Sequence, residues 1–232
     1  MDLIWQGIVG ALAMLWGRDP EVMQVVLLSL GVSGLAMLVS LAIGVPLGTV
    51  LALVRFRGRR LAVSVVNTGM GMPPVVMGLL VSIFLWRSGP LGMLRLMYTP
   101  TAMVIAQILI AAPIVTGISM AAIGQLDPKL RLQLLGLGAS RTQLLLMLLR
   151  EARLPLLAAV IAGFGRVIAE VGAVMMVGGN ILHETRVMTT DIVLEVSKGN
   201  FDVAIALSII LLLLAYLVNL FLTFYQQSGR LT

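Results

Sequence analysis

The sequence predicts an all-α integral membrane protein, and three observations support this fold class. Hydrophobic residues make up 59% of the 232 residues and charged residues only 11%, whereas a soluble domain carries roughly a quarter charged residues. Five apolar runs reach the roughly 20 residues that span a bilayer as a helix. Lys and Arg lie mostly in short segments between those runs, where basic residues set membrane topology. This distribution argues against nucleic-acid binding, despite the net charge of +6.

The five runs are predicted to be transmembrane helices, with one shorter segment in front of them. Trp5 and Trp16 bracket the first stretch, as expected for a helix at a membrane interface. Residues 1–19 are therefore predicted to form an N-terminal interfacial helix, with a sixth span as the alternative, and residues 20–232 a transmembrane domain. The predicted spans cover residues 22–54, 61–86, 100–123, 155–177 and 201–225.

The distribution of Lys and Arg predicts which way the spans run. Most of these residues lie in the loop after the first span, between the third and fourth spans, or at the C-terminus. Cytoplasmic loops carry the excess of Lys and Arg. The chain is therefore expected to be a multi-pass protein of the cell (inner) membrane, with its N-terminus outside and its C-terminus in the cytoplasm.

Residues 124–154 are predicted to form a basic helical insert on the cytoplasmic side. Asp127 and Pro128 start a first short helix, Gly136 and Gly138 end it, and Ser140 starts a second. Such an insert can dock in a groove on a partner, or it can be an ordinary interfacial connector. The apolar stripe on the second helix that such docking would use consists of Leu144, Leu145, Leu148 and Leu149.

This insert resembles the cytoplasmic signature loop of binding-protein-dependent ABC importer permeases, which reads Glu-Ala-Ala, three residues and Gly. The family glycine corresponds to Gly138, while Leu132, Gln133 and Leu134 occupy the Glu-Ala-Ala positions. In the family this loop fits a cleft on the ATP-hydrolysing subunit. The resemblance therefore implies ATPase-coupling roles for Gly138, Ala139, Ser140, Arg141, Arg150, Glu151 and Arg153.

Further stretches, among them "NTGMGMPPVVMGLLV" and "FGRVIAEVGAVMMVGGNI", resemble the permeases of tungstate-type importers, close relatives of the molybdate permeases. The resemblance implies a type I ABC importer permease fold (MetI-like). It also implies a homodimer, two cytoplasmic ABC ATPase subunits and an extracytoplasmic oxyanion-binding protein. No Walker-type phosphate loop is visible in the sequence. The chain is therefore expected to be a transport subunit, not an enzyme, and to bind no cofactor, with ATP and Mg on the partner ATPase.

Polar and helix-breaking residues inside the spans are candidates for the pathway or its gate. Arg166 and Glu170 are spaced i, i+4 in the fourth span, so they are expected to share a helix face and pair. The pair either fixes helix packing or lines the pathway. Pro73 and Pro74 are expected to kink the second span, and Pro113 with Thr116 the third. These kinks either serve packing or border a cavity.

Two other functional classes make different demands on the sequence. A secondary transporter would show two matching halves with broken helices in corresponding places, and no such repeat is visible. A membrane-embedded enzyme would have to use Arg166 and Glu170 without a nucleophile beside them. A metal site is not predicted, because the only histidine, His183, lies among scattered carboxylates. Tungstate, molybdate and sulfate are all tetrahedral dianions, so the residues leave the cargo open.

Overall fold

The computed structural model describes residues 2–17 and 20–228, and all regular secondary structure within them is helical, as predicted. A single 3-10 turn covers Gly92–Leu94. The α-helices are α1 Asp2–Trp16, α2 Pro20–Leu53, α3 Arg59–Gly71, α4 Pro74–Leu85, α5 Pro100–Gly124, α6 Pro128–Gly136, α7 Arg141–Glu151, α8 Arg153–Ile168, α9 Gly172–Gly178, α10 Met188–Lys198 and α11 Phe201–Ser228.

The membrane-spanning part of the described residues consists of straight and bent elements. By length and composition, α2, α5 and α11 can each cross a bilayer. Two helix pairs reach the same criterion together, with a bend of 105° between α3 and α4 and of 57° between α8 and α9. The chain thus has three spans, or five if each bent pair is one span, which agrees with the five predicted. The break in the second span is confirmed; the fourth span is also broken, between Ile168 and Gly172, and this second break was not predicted.

The fold is built around α5, which contacts α2, α3, α4, α8 and α9. Small residues allow α2 to approach it closely, since a Cβ on Gly48 would lie 2.6 Å from the Thr116 carbonyl oxygen. Buried apolar residues from α2, α4, α5 and α9 form one core, including Ala36, Val81, Met103 and Val174. The helix α5 continues through Pro113 without a break. This core fixes the straight spans against the bent ones.

The bundle has two ends. We call the end that carries α6 and α7 the elbow end, and the other the opposite end. At the elbow end, α6, α7 and the start of α8 lie beside the ends of α2 and α11, and Gln226 Nε2 donates to the Leu154 carbonyl (3.1 Å). At the opposite end, the Tyr98 amide donates to the Val177 carbonyl (2.9 Å). The two bent pairs run between these ends.

The N-terminal helix α1 packs across α11 and the start of α2. Ala11 is buried against Val25 and Ala206, and Gly7 allows close contact with Ile205. With 15 residues, α1 is about 22 Å long, shorter than the roughly 30 Å hydrocarbon core. Its location at a membrane interface stays a prediction. Of the predicted segment 1–19, residues 1, 18 and 19 lie outside the described residues.

Candidate functional site

Local capping produces the two short helices of the insert, α6 and α7, which we call the elbow (residues 124–154). Asp127 Oδ1 accepts a hydrogen bond from the Lys129 amide (2.9 Å), with Pro128 in the first turn. Ser140 and Gln143 form a reciprocal capping box at the start of α7. Between them Gly138 has φ +81°, a conformation that glycine adopts without strain. Both predicted helix starts are confirmed, because each depends on contacts within a few residues.

The exposed apolar surface of the elbow differs from the predicted leucine stripe. Leu148 is only 2% exposed, and it lies beside the ends of α2 and α5; Leu144 is also buried. These two leucines hold α7 to its own chain and cannot meet a partner. Solvent reaches Leu132 and Leu137, the latter 84% exposed, and on α7 it reaches Leu145 and Leu146. The apolar surface available for docking therefore comprises the α6 side, the α6–α7 turn and the outer face of α7.

The polar residues predicted for coupling lie on this exposed surface. Gly138 and Ser140 are exposed and Ala139 is half-buried. The charged residues predicted for coupling are all exposed: Arg141, Arg150, Glu151 and Arg153. A cavity of about 420 Å³ beside the elbow adds Arg55, Arg59 and Arg131. Arg59 Nε donates to the Leu51 carbonyl (2.7 Å) and so satisfies one carbonyl at the end of α2. The elbow thus combines a basic rim with exposed leucines.

Two adjacent prolines produce the first break. Pro73 has extended backbone angles (φ −61°, ψ 128°) and precedes α4, whose first residue is Pro74. Neither proline can donate a backbone hydrogen bond, and α3 therefore ends before them. Beside this break, Thr116 and Met72 line a cavity of about 420 Å³ together with Gly69 and Pro113. The structure thus places Thr116, a predicted pathway residue, next to the proline break. The Thr116 hydroxyl donates its hydrogen bond to the Ala112 carbonyl of its own helix (2.7 Å).

Glu170 forms the second break and does not pair with Arg166. The helix α8 ends at Ile168, so the expected i, i+4 spacing on one helix face is lost. Glu170 is 6% exposed, and its Oε1 accepts a hydrogen bond from the Ala173 amide (2.9 Å) in the first turn of α9. No ion pair joins it to Arg166 in the part of the chain that the structure describes. The predicted pair was wrong because the carboxylate caps a new helix.

Buried polar side chains from distant elements complete the second break. Gln107 Nε2 donates to the Val167 carbonyl (3.1 Å) at the end of α8, and Thr189 Oγ1 donates to the Glu170 carbonyl (2.9 Å). Ser29 Oγ accepts from the Met188 amide (2.8 Å) at the start of α10. We call Ser29, Gln107, Glu170 and Thr189 the polar hub. Sequence reasoning missed Ser29, Gln107 and Thr189, although isolated polar residues within apolar runs are a usable signal.

The hub also contains one unsatisfied acceptor. Gln107 Oε1 is buried and has no hydrogen-bond partner among the described residues. A cavity of about 10 Å³ adjoins Gln107, Glu170 and Thr189, which is close to the volume that one water molecule needs. The hub is therefore nearly complete in its hydrogen bonding.

The two breaks lie against each other. A Cβ on Gly78 of α4 would lie 2.6 Å from Ala173 Cα, and one on Gly172 would lie 2.7 Å from Val75 Cγ2. The first turns of α4 and α9 therefore pack with almost no side chain between them. A movement of one bent pair must displace the other.

The helix α10 was not predicted, because it is too short for a span, and it carries the titrating groups beyond the spans. Burial raises the pKa of Asp191 against the opposing effect of Arg186, whose Nε lies 3.7 Å from Asp191 Oδ1. Hydrogen bonds from Lys198 and Asn200 lower the pKa of Glu195. No group of three His, Asp or Glu side chains within residues 2–17 and 20–228 could hold a metal ion. Asp191 is thus partnered by Arg186, and Glu195 by Lys198 and Asn200.

Comparisons with known proteins agree with this architecture. Over 98% of its length the chain is 38% identical to the full length of the tungstate uptake system permease of Peptoclostridium acidaminophilum. A probable anion ABC transporter permease of Haloferax volcanii is 41% identical over 82% of this chain and 84% of its own. Relatives named as molybdenum and sulfate permeases are more distant, at 31% and 29% identity.

Among solved structures, a bacterial ABC transporter for import of the polysaccharide alginate superimposes with a TM-score of 0.75. The match covers 89% of this chain and 79% of that chain at 21% identity, so it bears on the fold alone. Residues 44–229 match the family described as binding-protein-dependent transport system inner membrane component. The protein is a multi-pass membrane protein of that family, and its predicted resemblance to tungstate-type ABC importer permeases is confirmed.

Proposed function

We propose that the protein is the permease subunit of an ATP-driven importer that moves a tetrahedral oxyanion, with tungstate as its preferred cargo. The observation that carries this proposal is the elbow, which projects exposed leucines and a basic rim from one end of a membrane bundle. Exposed apolar patches rimmed by polar residues mark interaction sites. The two tungstate permeases at 38% and 35% identity support the choice of tungstate over molybdate or sulfate.

The elbow is the proposed contact with a cytoplasmic ATPase. Leu137, which precedes Gly138, and Leu132 supply apolar contact, while Arg141 and Arg150 supply orientation by charge. The Glu-Ala-Ala positions of the family hold no carboxylate here, because Leu132, Gln133 and Leu134 occupy them. The contact is therefore more apolar than one built around a glutamate. ATP and Mg bind to the ATPase, and this chain contributes no catalytic group.

The complete transporter is proposed to contain two copies of this chain, two ATPase subunits and an extracytoplasmic binding protein. The elbow end faces the cytoplasm, which puts the C-terminus inside and α1 at the outer side. Many apolar side chains of α4 and α11 are exposed in the single chain, including Leu79, Ile83, Leu212 and Phe221. Lipid and the second copy would cover them.

The pathway is proposed to follow the two bent pairs. Arg166 is exposed on α8 and has no ion pair among the described residues. It lies about 20 Å along α8 from Arg153 at 1.5 Å per residue. A charged side chain at such a depth costs at least about 2.5 kcal/mol if it faces lipid. Arg166 is therefore assigned to the water-filled pathway, where its charge attracts the oxyanion, and Glu170 and Pro73–Pro74 to the moving breaks around it.

Uptake into proteoliposomes tests this function. The chain is reconstituted with an ATPase and an oxyanion-binding protein from the same organism, and uptake of labelled tungstate is measured with and without ATP. ATP-dependent accumulation that stops when the ATPase is omitted is the expected result. Accumulation that continues on an ion gradient without the ATPase would instead identify a secondary transporter and overturn the proposal. Competition by molybdate and sulfate then ranks the three oxyanions.

A further inference from the structure

We propose that Arg87 and Arg95 form a receiving site for a tetrahedral oxyanion at the opposite end of the molecule, where the anion enters the pathway. This inference rests on the proposed import of an oxyanion. The site is a recess of about 920 Å³ between the end of α4 and the loop of residues 86–99. Its lining includes both arginines, Tyr98, Met93, Met97 and Leu85, and no acidic residue of the described chain lines it.

The loop that carries the two arginines is held by its own backbone. The Leu91 amide donates to the Phe84 carbonyl (2.9 Å), and the Gly89 amide donates to the Trp86 carbonyl (2.8 Å). Gly92 is buried, and a Cβ there would collide with the carbonyl oxygens of Trp86 and Arg87. The loop is therefore a compact turn whose backbone is already ordered, so ligand binding does not have to pay the entropy cost of ordering it.

Two residues of the loop have a backbone conformation that side chains disfavour. Arg95 has φ +50° and Tyr98 has φ +61°. Such conformations persist when the surroundings over-determine them, and they concentrate at functional sites. The αL conformation of Arg95 ends the 3-10 turn and leaves this arginine lining the same recess as Arg87.

The recess is connected to the second bent pair. The Tyr98 ring lies directly over Gly179, where a Cβ would be 2.7 Å from the ring, and the Tyr98 amide binds the Val177 carbonyl. Leu85, on the recess wall, belongs to the same core as Val174 and Val177 of α9. An anion bound in the recess therefore sits on the elements that carry the two breaks.

The chemistry of the lining selects the class of ligand. Two guanidinium groups balance the two negative charges of a tetrahedral oxyanion, and guanidinium binds such oxygens by charge-assisted hydrogen bonds. The recess is lined by eight residues, whereas a protein interface brings roughly 20–30 residues from each side. A small dianion therefore fits this site better than a carboxylate-bearing protein surface.

A single thiol measures the charge of the recess without any transport. The chain contains no cysteine, so Met93→Cys, at a side chain that is 86% exposed on the lining, introduces a unique reporter. The quantity to compare is the rate of modification by an anionic methanethiosulfonate divided by the rate with a cationic one. We expect this ratio to be about tenfold higher at Met93→Cys than at Leu182→Cys, which lies outside the recess, because clustered positive charge concentrates anions. Arg87→Gln with Arg95→Gln should abolish this preference.

Occupancy is measured in the same assay, with the full chain in lipid nanodiscs. Sodium tungstate at constant ionic strength should slow the anionic reagent at Met93→Cys and leave Leu182→Cys unchanged. The same ratio of anionic to cationic rates at Met93→Cys and Leu182→Cys, or no protection by tungstate, would overturn the site. Protection by the anion-free binding protein alone would assign the recess to protein docking and would also overturn it.

Transport supplies an independent readout. In proteoliposomes, Arg87→Gln with Arg95→Gln should lower tungstate delivered per ATP by about tenfold, the loss expected for roughly 1.4 kcal/mol of anion affinity. In the same double variant, the binding-protein concentration that gives half-maximal ATP hydrolysis should stay unchanged. Lys198→Gln, which removes a charge beyond the recess, is the control, and it should change neither the tungstate delivered per ATP nor this concentration. An unchanged yield per ATP would contradict the site. If tungstate protects Met93→Cys but the wild-type chain shows no ATP-driven uptake, the proposed function fails and the anion site stands.

Discussion

The two bent spans break in opposite ways. Between α3 and α4 the chain turns by 105° because Pro73 and Pro74 remove backbone donors, and no side chain caps the new helix. Between α8 and α9 it turns by only 57°, and Glu170, Gln107 and Thr189 bind the backbone groups that the break releases. The first helix break results from the covalent structure of the two prolines themselves, whereas the second depends on tertiary hydrogen bonds. We infer that the second break is the one that a transport cycle can remake.

The largest expected effect is at Glu170. Glu170→Ala leaves the Ala173 amide without its acceptor, and it should lower the free energy of unfolding by about 2 kcal/mol, the upper range for a lost helix cap. Thermal unfolding of the purified protein in nanodiscs measures this. Glu170→Gln keeps an acceptor oxygen for the Ala173 amide, so it should lower the free energy of unfolding by less than Glu170→Ala does.

Glu170→Gln also separates the capping role from the gate. If the carboxylate charge helps to close the pathway, this variant should hydrolyse ATP at the wild-type rate and deliver less tungstate for each ATP. Wild-type coupling in Glu170→Gln would refute the gate role while leaving the cap intact.

The next effect is at Thr189, which joins α10 to the second break. Thr189→Val removes the hydroxyl donor to the Glu170 carbonyl at nearly constant volume, so it should cost about 1 kcal/mol of stability. Thr189→Ser retains the hydroxyl and serves as the matched control. Equal unfolding temperatures for the Val and Ser variants would show that this hydrogen bond does not hold the break.

The proline break should respond in shape more than in stability. Pro73→Ala and Pro74→Ala each change stability by about 0.5 kcal/mol, but alanine allows α3 and α4 to join. Spin labels at Val65 and Leu79 should then report a broader and longer distance distribution. Pro46→Ala, within the continuous helix α2, should leave that distribution unchanged; an unchanged distribution in the Pro73 and Pro74 variants would locate the cause of the bend elsewhere.

The smallest effect on stability is expected at Arg166. Because it is exposed and forms no ion pair among the described residues, Arg166→Gln should shift the free energy of unfolding by less than about 0.5 kcal/mol. Tungstate uptake should nevertheless fall, since the pathway loses its positive charge. Arg57→Gln, an exposed charge in the loop after α2, should change neither quantity. A large loss of stability in Arg166→Gln would assign this arginine to packing.

The same contrast explains what could be predicted from sequence. Pro73 and Pro74 act on their own backbone, and the caps at Asp127 and Ser140 act within three residues, so each was readable. The break at Glu170 depends on Gln107, which binds Val167 across 60 residues, and on Thr189, which binds Glu170 across 19 residues. A glutamate followed two residues later by Gly172 inside an apolar run was the available signal.

Burial was the second property that the sequence pattern left undetermined. The leucines of α7 are periodic, but periodicity alone does not distinguish a face that packs on its own chain from one that meets a partner. The structure buries Leu144 and Leu148 but exposes Leu137, Leu145 and Leu146, so the docking surface lies on the outer face of α7 and the α6–α7 turn. The helix α10 escaped prediction for a related reason, since a search for spans of about 20 residues passes over an 11-residue helix.

The proposed function depends most on contact between the elbow and an ATPase subunit, and a cross-link from residue 137 tests this contact most directly. In the cysteine-free chain, Leu137→Cys becomes the only thiol, and a short bifunctional reagent is applied to the reconstituted transporter. We predict a covalent adduct with the ATPase subunit and loss of ATP-driven tungstate uptake, with no adduct from Leu182→Cys at the opposite end. Full uptake after complete modification of Leu137→Cys, with no adduct formed, would contradict the account.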